Sequence, residues 1–122
     1  MDREAAAGLL KAQHEYFASG ATLDIKARRA ALISLRRAVK AREADIAEAL
    51  RRDLGKPHEE GYMCETGLVL EEISWMIKNL GRLAAPRYAA TPLAQFRAKS
   101  YVLPSPKRAV LVISPWNYPI LL

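Results

Sequence analysis

The chain has 122 residues, is 51% hydrophobic and 26% charged, and carries a formal charge of +6. That length fits one ordinary domain, and the composition excludes a disordered chain; a domain this size buries about two thirds of its unfolded surface. No run reaches the roughly 18 apolar residues of a membrane span, the start MDREAAAGLLKAQHEYF has no signal-peptide core, and Cys64, the single cysteine, forms no intramolecular disulfide, so the expected setting is cytoplasmic.

Three helical segments come first. Residues 3 to 18 carry Leu9, Leu10, Tyr16 and Phe17 along one side, with Gly20 as the stop. Thr22 or Asp24 caps a longer stretch in which Ala31, Leu32, Leu35, Val39, Ile46 and Leu50 recur at helical spacing. Arg42 falls where that stripe wants an apolar residue, so a break near Ala41 to Glu43 is allowed. Gly55 followed by Pro57 ends the stretch. The basic residues Arg28, Arg29, Arg36, Arg37, Lys40 and Arg42 lie beside the apolar stripe and read as a solvated helix face. No aromatics interleave with them and no zinc spacing occurs, so nucleic acid is not an expected partner. A basic helical binder stays open only as a third reading, with salt-sensitive binding as its mark.

The third segment runs from about His58 to Leu83, with Val69, Ile73, Met76, Ile77 and Leu80 as its stripe. Glu59, Glu60 and Glu65 in the first turns and Lys78 and Arg82 in the last suit the helix dipole. Pro86 opens APRYAATPLAQF, which has no clear period and reads as a linker. From Lys99 the pattern changes. SYVLP is a short, edge-type strand. AVLVIS is an unalternating run too short for a typical helix, expected as a strand buried on both faces of a parallel sheet. Such a strand needs neighbours, and this chain supplies at most one.

That run leads into SPWNYP. Pro115 holds Ser114 out of the helical region, and Pro119 suits the first turn of a new helix with Asn117 near its cap. Asn117 then sits at the carboxyl end of a core strand, where open α/β sheets bind ligands. Its amide is a neutral donor able to stabilise a developing oxyanion. A packed Trp beside a capping Asn satisfies the same pattern, and on the residues alone both readings stand.

AVLVISPWNYPILL resembles the segment of aldehyde dehydrogenases in which a core strand leads into a Pro-Trp-Asn-aromatic-Pro motif. GLVLEEISWMIKNL, ALRRDLGKP and RRAALISLRRAV resemble the class 3-like branch, which includes fatty, benzaldehyde-type and coniferyl aldehyde dehydrogenases. The resemblance covers nearly the whole chain. It implies an α/β fold of which this chain is the incomplete amino-terminal part: helices of a Rossmann-like cofactor domain over 1–85, a linker and bridging-hairpin strand over 86–107, and the first core strand with the start of the next helix over 108–122.

The resemblance also implies an enzyme that oxidises aldehydes to carboxylic acids with NAD or NADP. In that family a cysteine thiolate attacks the aldehyde, hydride passes to the cofactor and the thioester is hydrolysed. Asn117 matches the oxyanion-hole asparagine. Ile113, Ser114, Pro115 and Trp116 match residues lining the cofactor cleft; relatives often carry Gly-Thr or Ala-Pro where Ser114-Pro115 stands here, a mild departure. Tyr118 matches an aromatic position near the substrate tunnel. Leu68 falls where some members place a tunnel aromatic, though ordinary core is the plainer reading.

The family's nucleophilic cysteine, general-base glutamate, cofactor-binding lysine and Gly-rich turn all correspond to positions beyond Leu122. Cys64 is not that nucleophile and reads as a small core or surface residue. His14 and His58 have no metal-ligand spacing and read as surface residues, so no metal is expected. Glu71 and Glu72, like Glu59 and Glu60, are adjacent and point about 100° apart on a helix, which prevents a facing acid/base pair. The chain is therefore expected to be the amino-terminal piece of a longer enzyme, whether a truncated gene product, a partial sequence or a deliberately shortened one. Alone it is expected to be inactive, while the full-length parent is expected to be a homodimer acting on an aldehyde. The rival reading is a non-catalytic helical interaction module, or a decayed gene fragment. These residues select neither the aldehyde nor NAD over NADP.

Overall fold

Short side chains set the helix boundaries. The computed structural model describes residues 2–122. Helix α1, Arg3–Ala18, begins where the Asp2 carboxylate accepts from the Ala5 amide at 2.8 Å, and Gly20 turns the chain beyond its end with φ +77°. Helix α2, Ile25–Ala41, is capped by Asp24 rather than Thr22: the Asp24 carboxylate accepts from Lys26 at 3.0 Å and from Ala27 at 3.3 Å. The break falls at Arg42, and α3, Glu43–Leu54, ends at Gly55 in the left-handed region, φ +68°.

The segment from His58 is not one regular helix. Helix α4, His58–Gly61, passes into a π-turn over Tyr62–Thr66 and then into α5, Gly67–Ala84. The Gly67 N–H donates to the Tyr62 carbonyl, five residues back. A Cβ on Gly67 would lie 2.8 Å from that carbonyl and 3.1 Å from the Tyr62 ring, so the turn needs a residue without one. Apolar periodicity continues through a π-turn and does not signal it.

Helix α5 packs along α2. The Arg36 side chain donates to Ser74 Oγ at 2.8 Å, and that hydroxyl donates to the Leu70 carbonyl at 2.6 Å. Among the described residues, Leu50, Ile73 and Leu80 are the buried large apolar side chains. Gly61 lets α4 approach α3, since a Cβ there would meet Leu50 Cδ1 at 3.2 Å. The stripes read from sequence are only partly covered. Leu35, Leu9, Leu10 and Tyr16 are exposed, and α1 buries no residue.

Two corrections fall in the last third. The stretch read as a linker contains strand β1, Arg87–Ala89, which pairs antiparallel with β2, Ser100–Val102, in the register Arg87↔Val102, Tyr88↔Tyr101, Ala89↔Ser100. The Ser100 amide donates to Thr91 Oγ1 at 3.0 Å, and a 3₁₀ turn at Leu93–Gln95 fills the connection. Side-chain alternation is too short to read, but the Thr91 hydroxyl and the turn at 93–97 close this ten-residue connection. The run AVLVI, in contrast, carries no strand among the described residues, and Val110 to Ile113 are 69–84% exposed. Its apolar character asks for flanking strands, and with none beside it no ladder forms.

The chain exposes 10028 Å², against roughly 6,600 Å² for a compact monomer of this mass. The two thirds burial expected from length is not reached. No helix among the described residues is long and apolar enough to cross a membrane.

Candidate functional site

Residues 116 to 121 form a turn after the Val/Ile run, closed by the Leu122 amide donating to the Tyr118 carbonyl at 3.2 Å. Ser114 Oγ also donates to the Leu122 carbonyl. A single turn therefore stands where a helix start was expected at Pro119.

Two charged residues from distant positions hold this turn. Lys56 follows the α3 stop at Gly55, and its ammonium donates to Glu65 Oε1 at 2.6 Å and to the Asn117 carbonyl at 2.8 Å. It also stands 4.0 Å from the centroid of the Tyr118 ring, within cation–π range. The other Glu65 oxygen accepts from the Ile120 amide at 2.9 Å. Glu65, within the π-turn, has no solvent exposure at all. A buried carboxylate is tolerated when paired and hydrogen-bonded, and here both oxygens are engaged. The hydrogen bond that Lys56 donates to Glu65 raises the Lys56 pKa above its ordinary 10.5; desolvation opposes this, and coulombic attraction to Glu65, Tyr118 and Glu60 adds to the rise.

Sequence reasoning placed Glu65 as a dipole-favouring acid in a first turn and gave Lys56 no role. Their partners lie 55 and 61 positions away, which local spacing cannot reveal. A signal existed nonetheless: a lysine between a glycine stop and a proline, and an acid followed by Thr-Gly where a helix should continue.

The residues singled out from sequence are placed as follows. Asn117 is exposed, with its carbonyl held by Lys56 and its side-chain amide making no hydrogen bond among the described residues. Tyr118 is half-buried under the Lys56 ammonium. Trp116 is 87% exposed and, with Pro119 and Ile120, lines an apolar groove of about 590 Å³ against α3 residues that include Ile46, Leu50 and Leu54. Leu68, on α5, is not core: it is exposed and borders a surface depression shared with Trp75 and Leu121. Ile113 is exposed, while Ser114 and Pro115 are half-buried.

The four positions matched to a cofactor cleft thus form an open surface. Among the described residues they do not enclose a dinucleotide, and no glycine-rich turn faces them. Cys64 is half-buried in the π-turn next to Glu65. His14 and His58 are exposed, and no group of three His, Cys, Asp or Glu among the described residues is placed to hold a metal ion.

A turn bearing Asn between Trp and Tyr, held from behind by a helical layer, follows the pattern of the resemblance. The model of the aldehyde dehydrogenase family matches residues 1–122, and the chain belongs to that family. Its helices and short hairpin are an amino-terminal part of the aldehyde dehydrogenase α/β fold. Similar proteins include aldehyde dehydrogenase family 3 member F1 of Arabidopsis thaliana, 39% identical over 91% of this chain, and the 4,4'-diaponeurosporen-aldehyde dehydrogenase of Staphylococcus aureus, 40% identical over 85%. The dimeric NADP-preferring aldehyde dehydrogenase of Canis lupus familiaris is 41% identical over 84%. The chain spans 23% of the length of each.

Proposed function

We propose that this chain acts as the amino-terminal quarter of an NAD- or NADP-dependent aldehyde dehydrogenase, with Asn117 as the oxyanion donor. The observation that carries the reading is the state of Asn117: its main chain is fixed by Lys56 while its side-chain amide stays free and exposed. Fixing the main chain narrows the space the free amide samples, which lowers the reorganisation needed to meet a developing charge. Attack of a thiolate on an aldehyde carbon moves charge onto the carbonyl oxygen, and a neutral amide accommodates that charge without titrating. The nicotinamide cofactor supplies the hydride acceptor when bound. This chain offers it at most one wall, Ile113 to Trp116.

Family membership supports aldehydes as the substrate class. Similarity to the dimeric NADP-preferring aldehyde dehydrogenase of the dog supports NADP as one cofactor candidate and a dimer as the assembly. A cytoplasmic setting goes with this reading and rests on the single cysteine. Tyr118 and Leu68 are proposed as residues near the aldehyde path. The proposed organisation keeps 1–85 in the cofactor domain, 86–107 at the bridging hairpin and 108–122 at the first sheet strand, which gains its ladder only beside other strands.

Two measurements test this. The first is the intact mass of the native protein, detected through a peptide spanning SPWNYP. A mass far above 13.6 kDa is expected, and a mass equal to it overturns the enzyme reading. The second is the rate of aldehyde-dependent NAD(P)H formation by the full-length protein, in which Asn117→Ala is expected to lower kcat by about 100-fold or more. The isolated 122-residue chain is expected to produce none.

A second reading is favoured by one observation, the exposure of Leu111 (84%), Val112 and Ile113. Under it the chain is a non-catalytic module that uses this run to associate. Retention of the 13.6 kDa species in cells together with a stable complex in sedimentation is its expected signature.

A further inference from the structure

The Lys56–Glu65 pair is the most built-up polar feature of the chain, and the proposed chemistry makes no direct use of it. The pair contacts the turn at three points: the Asn117 carbonyl, the Tyr118 ring and the Ile120 amide. All three points lie just after the Asn117 Cα, so the pair fixes the main chain that leaves this residue. Glu65 is fully buried and Lys56 nearly so, with side-chain exposures of 0% and 12%. The contacts reach only main chain and ring, so the Asn117 amide is left free.

An ammonium that donates simultaneously to a carboxylate and a carbonyl, with that carboxylate accepting from an amide three residues on, closes a ring. Lys56, Asn117, Ile120 and Glu65 are its members. Rotation of the 117–120 segment about its own axis breaks two of the ring's three hydrogen bonds. We propose that Lys56 and Glu65 are positioning residues that set the orientation of the Asn117 amide for oxyanion stabilisation, a role that rests on the reading of Asn117 given above. Their effect is transmitted through the backbone of the turn; neither touches the aldehyde.

Two arms on the same variants test it. In the 122-residue chain, amide hydrogen exchange is followed at Ile120 and, as an internal control for the fold, at Leu80. Lys56→Met and Glu65→Gln are expected to speed exchange at Ile120 by about tenfold or more with Leu80 unchanged, and Lys56→Arg is expected to restore most of the protection. Unchanged exchange at Ile120 in both variants overturns the ring.

In the full-length aldehyde dehydrogenase that carries this segment, Lys56→Met is expected to lower kcat by about tenfold or more, with the aldehyde KM held within about twofold. Lys56→Met combined with Asn117→Ala is expected to be no slower than Asn117→Ala alone, because a positioning effect has nothing left to position. Multiplicative losses in the combined variant overturn the positioning role. A large loss for Asn117→Ala with none for Lys56→Met also overturns it and leaves the Asn117 reading intact. Undiminished turnover in Asn117→Ala, or no aldehyde oxidation by the unmodified protein, overturns the Asn117 reading and with it the positioning role, whatever the exchange arm gives for the ring itself.

Discussion

A carboxylate with no solvent exposure is tolerated in a fold when it is paired and hydrogen-bonded, and Glu65 has Lys56 and the Ile120 amide. The pH dependence follows from the lysine. Its folded pKa is raised above the ordinary 10.5, so its contribution is fully present below that value and is lost as pH rises through the higher folded pKa. The titratable groups facing it are Glu65, Glu60 and Tyr118. The expected outcome is a 117–120 turn that stays intact from neutral pH up to about 10.5 and loosens only beyond it; Trp116 fluorescence, followed through an alkaline titration, checks this. Loosening already at mildly alkaline pH would contradict the ion pair. Glu48 shows the contrasting case. Hydrogen bonding from Arg51 chiefly, and Arg52, holds its pKa to about 2, yet it lies on an open helix face, and Glu48→Gln is expected to leave Tm almost unchanged.

Two glycines separate by the same residue-level geometry. Gly67→Ala places a methyl 2.8 Å from the Tyr62 carbonyl, so a loss of about 1–3 kcal/mol is expected. Gly81 lies inside α5 with nothing within 4 Å of a built Cβ, and Gly81→Ala is expected to stabilise by about 0.5–1 kcal/mol. Urea denaturation of both variants measures the pair. Equal effects of one sign would show that the π-turn exerts no steric demand.

Among the elements, α2 and α5 hold the layer behind the turn. Asp24→Ala removes the α2 cap, with an expected loss of about 1 kcal/mol. Leu80, 2% exposed, is the deeper loss: Leu80→Ala is expected to cost about 2–5 kcal/mol by thermal melt. These helices were legible in the sequence because periodicity, an aspartate cap and a glycine stop are local signals. The break at Arg42 was legible for the same reason. Strand β1 was not, because its three residues are exposed on both faces and pairing with β2 is stated by Thr91 and Ser100, not by a hydrophobic pattern. The AVLVI run failed in the opposite sense: its composition describes a burial that no neighbouring element among the described residues provides. At the site, the motif around Asn117 could be read because its residues are contiguous. Lys56 and Glu65 could not, since their meaning depends on contacts made across the fold.

For the whole molecule, the exposed surface exceeds what a compact monomer of this mass shows, and many large apolar side chains lie on it. Leu93, Leu111, Ile113 and Trp116 are each more than three quarters exposed. An exposed apolar run such as Val110 to Ile113 marks an interface or an association hazard. The isolated chain is expected to show a mass that rises with concentration in sedimentation velocity, and Val112→Lys is expected to shift it toward monomer. A single sharp monomer boundary at all concentrations would contradict this.

The π-turn over Tyr62–Thr66 has a consequence for insertions and deletions. Such a turn is a helix carrying one surplus residue. Removing Met63, which is 71% exposed, would let α4 and α5 run together as one regular helix with better local bonding. It would also swing everything before the deletion by about 100° relative to Glu65, and Lys56 would lose its partner. Helical content by circular dichroism is expected to hold or rise in that variant, while Ile120 loses its amide protection. The β1–β2 connection around Phe96 should absorb a change of length without penalty to the turn. This helix does not admit one, because its surplus residue keeps two distant parts of the chain in frame.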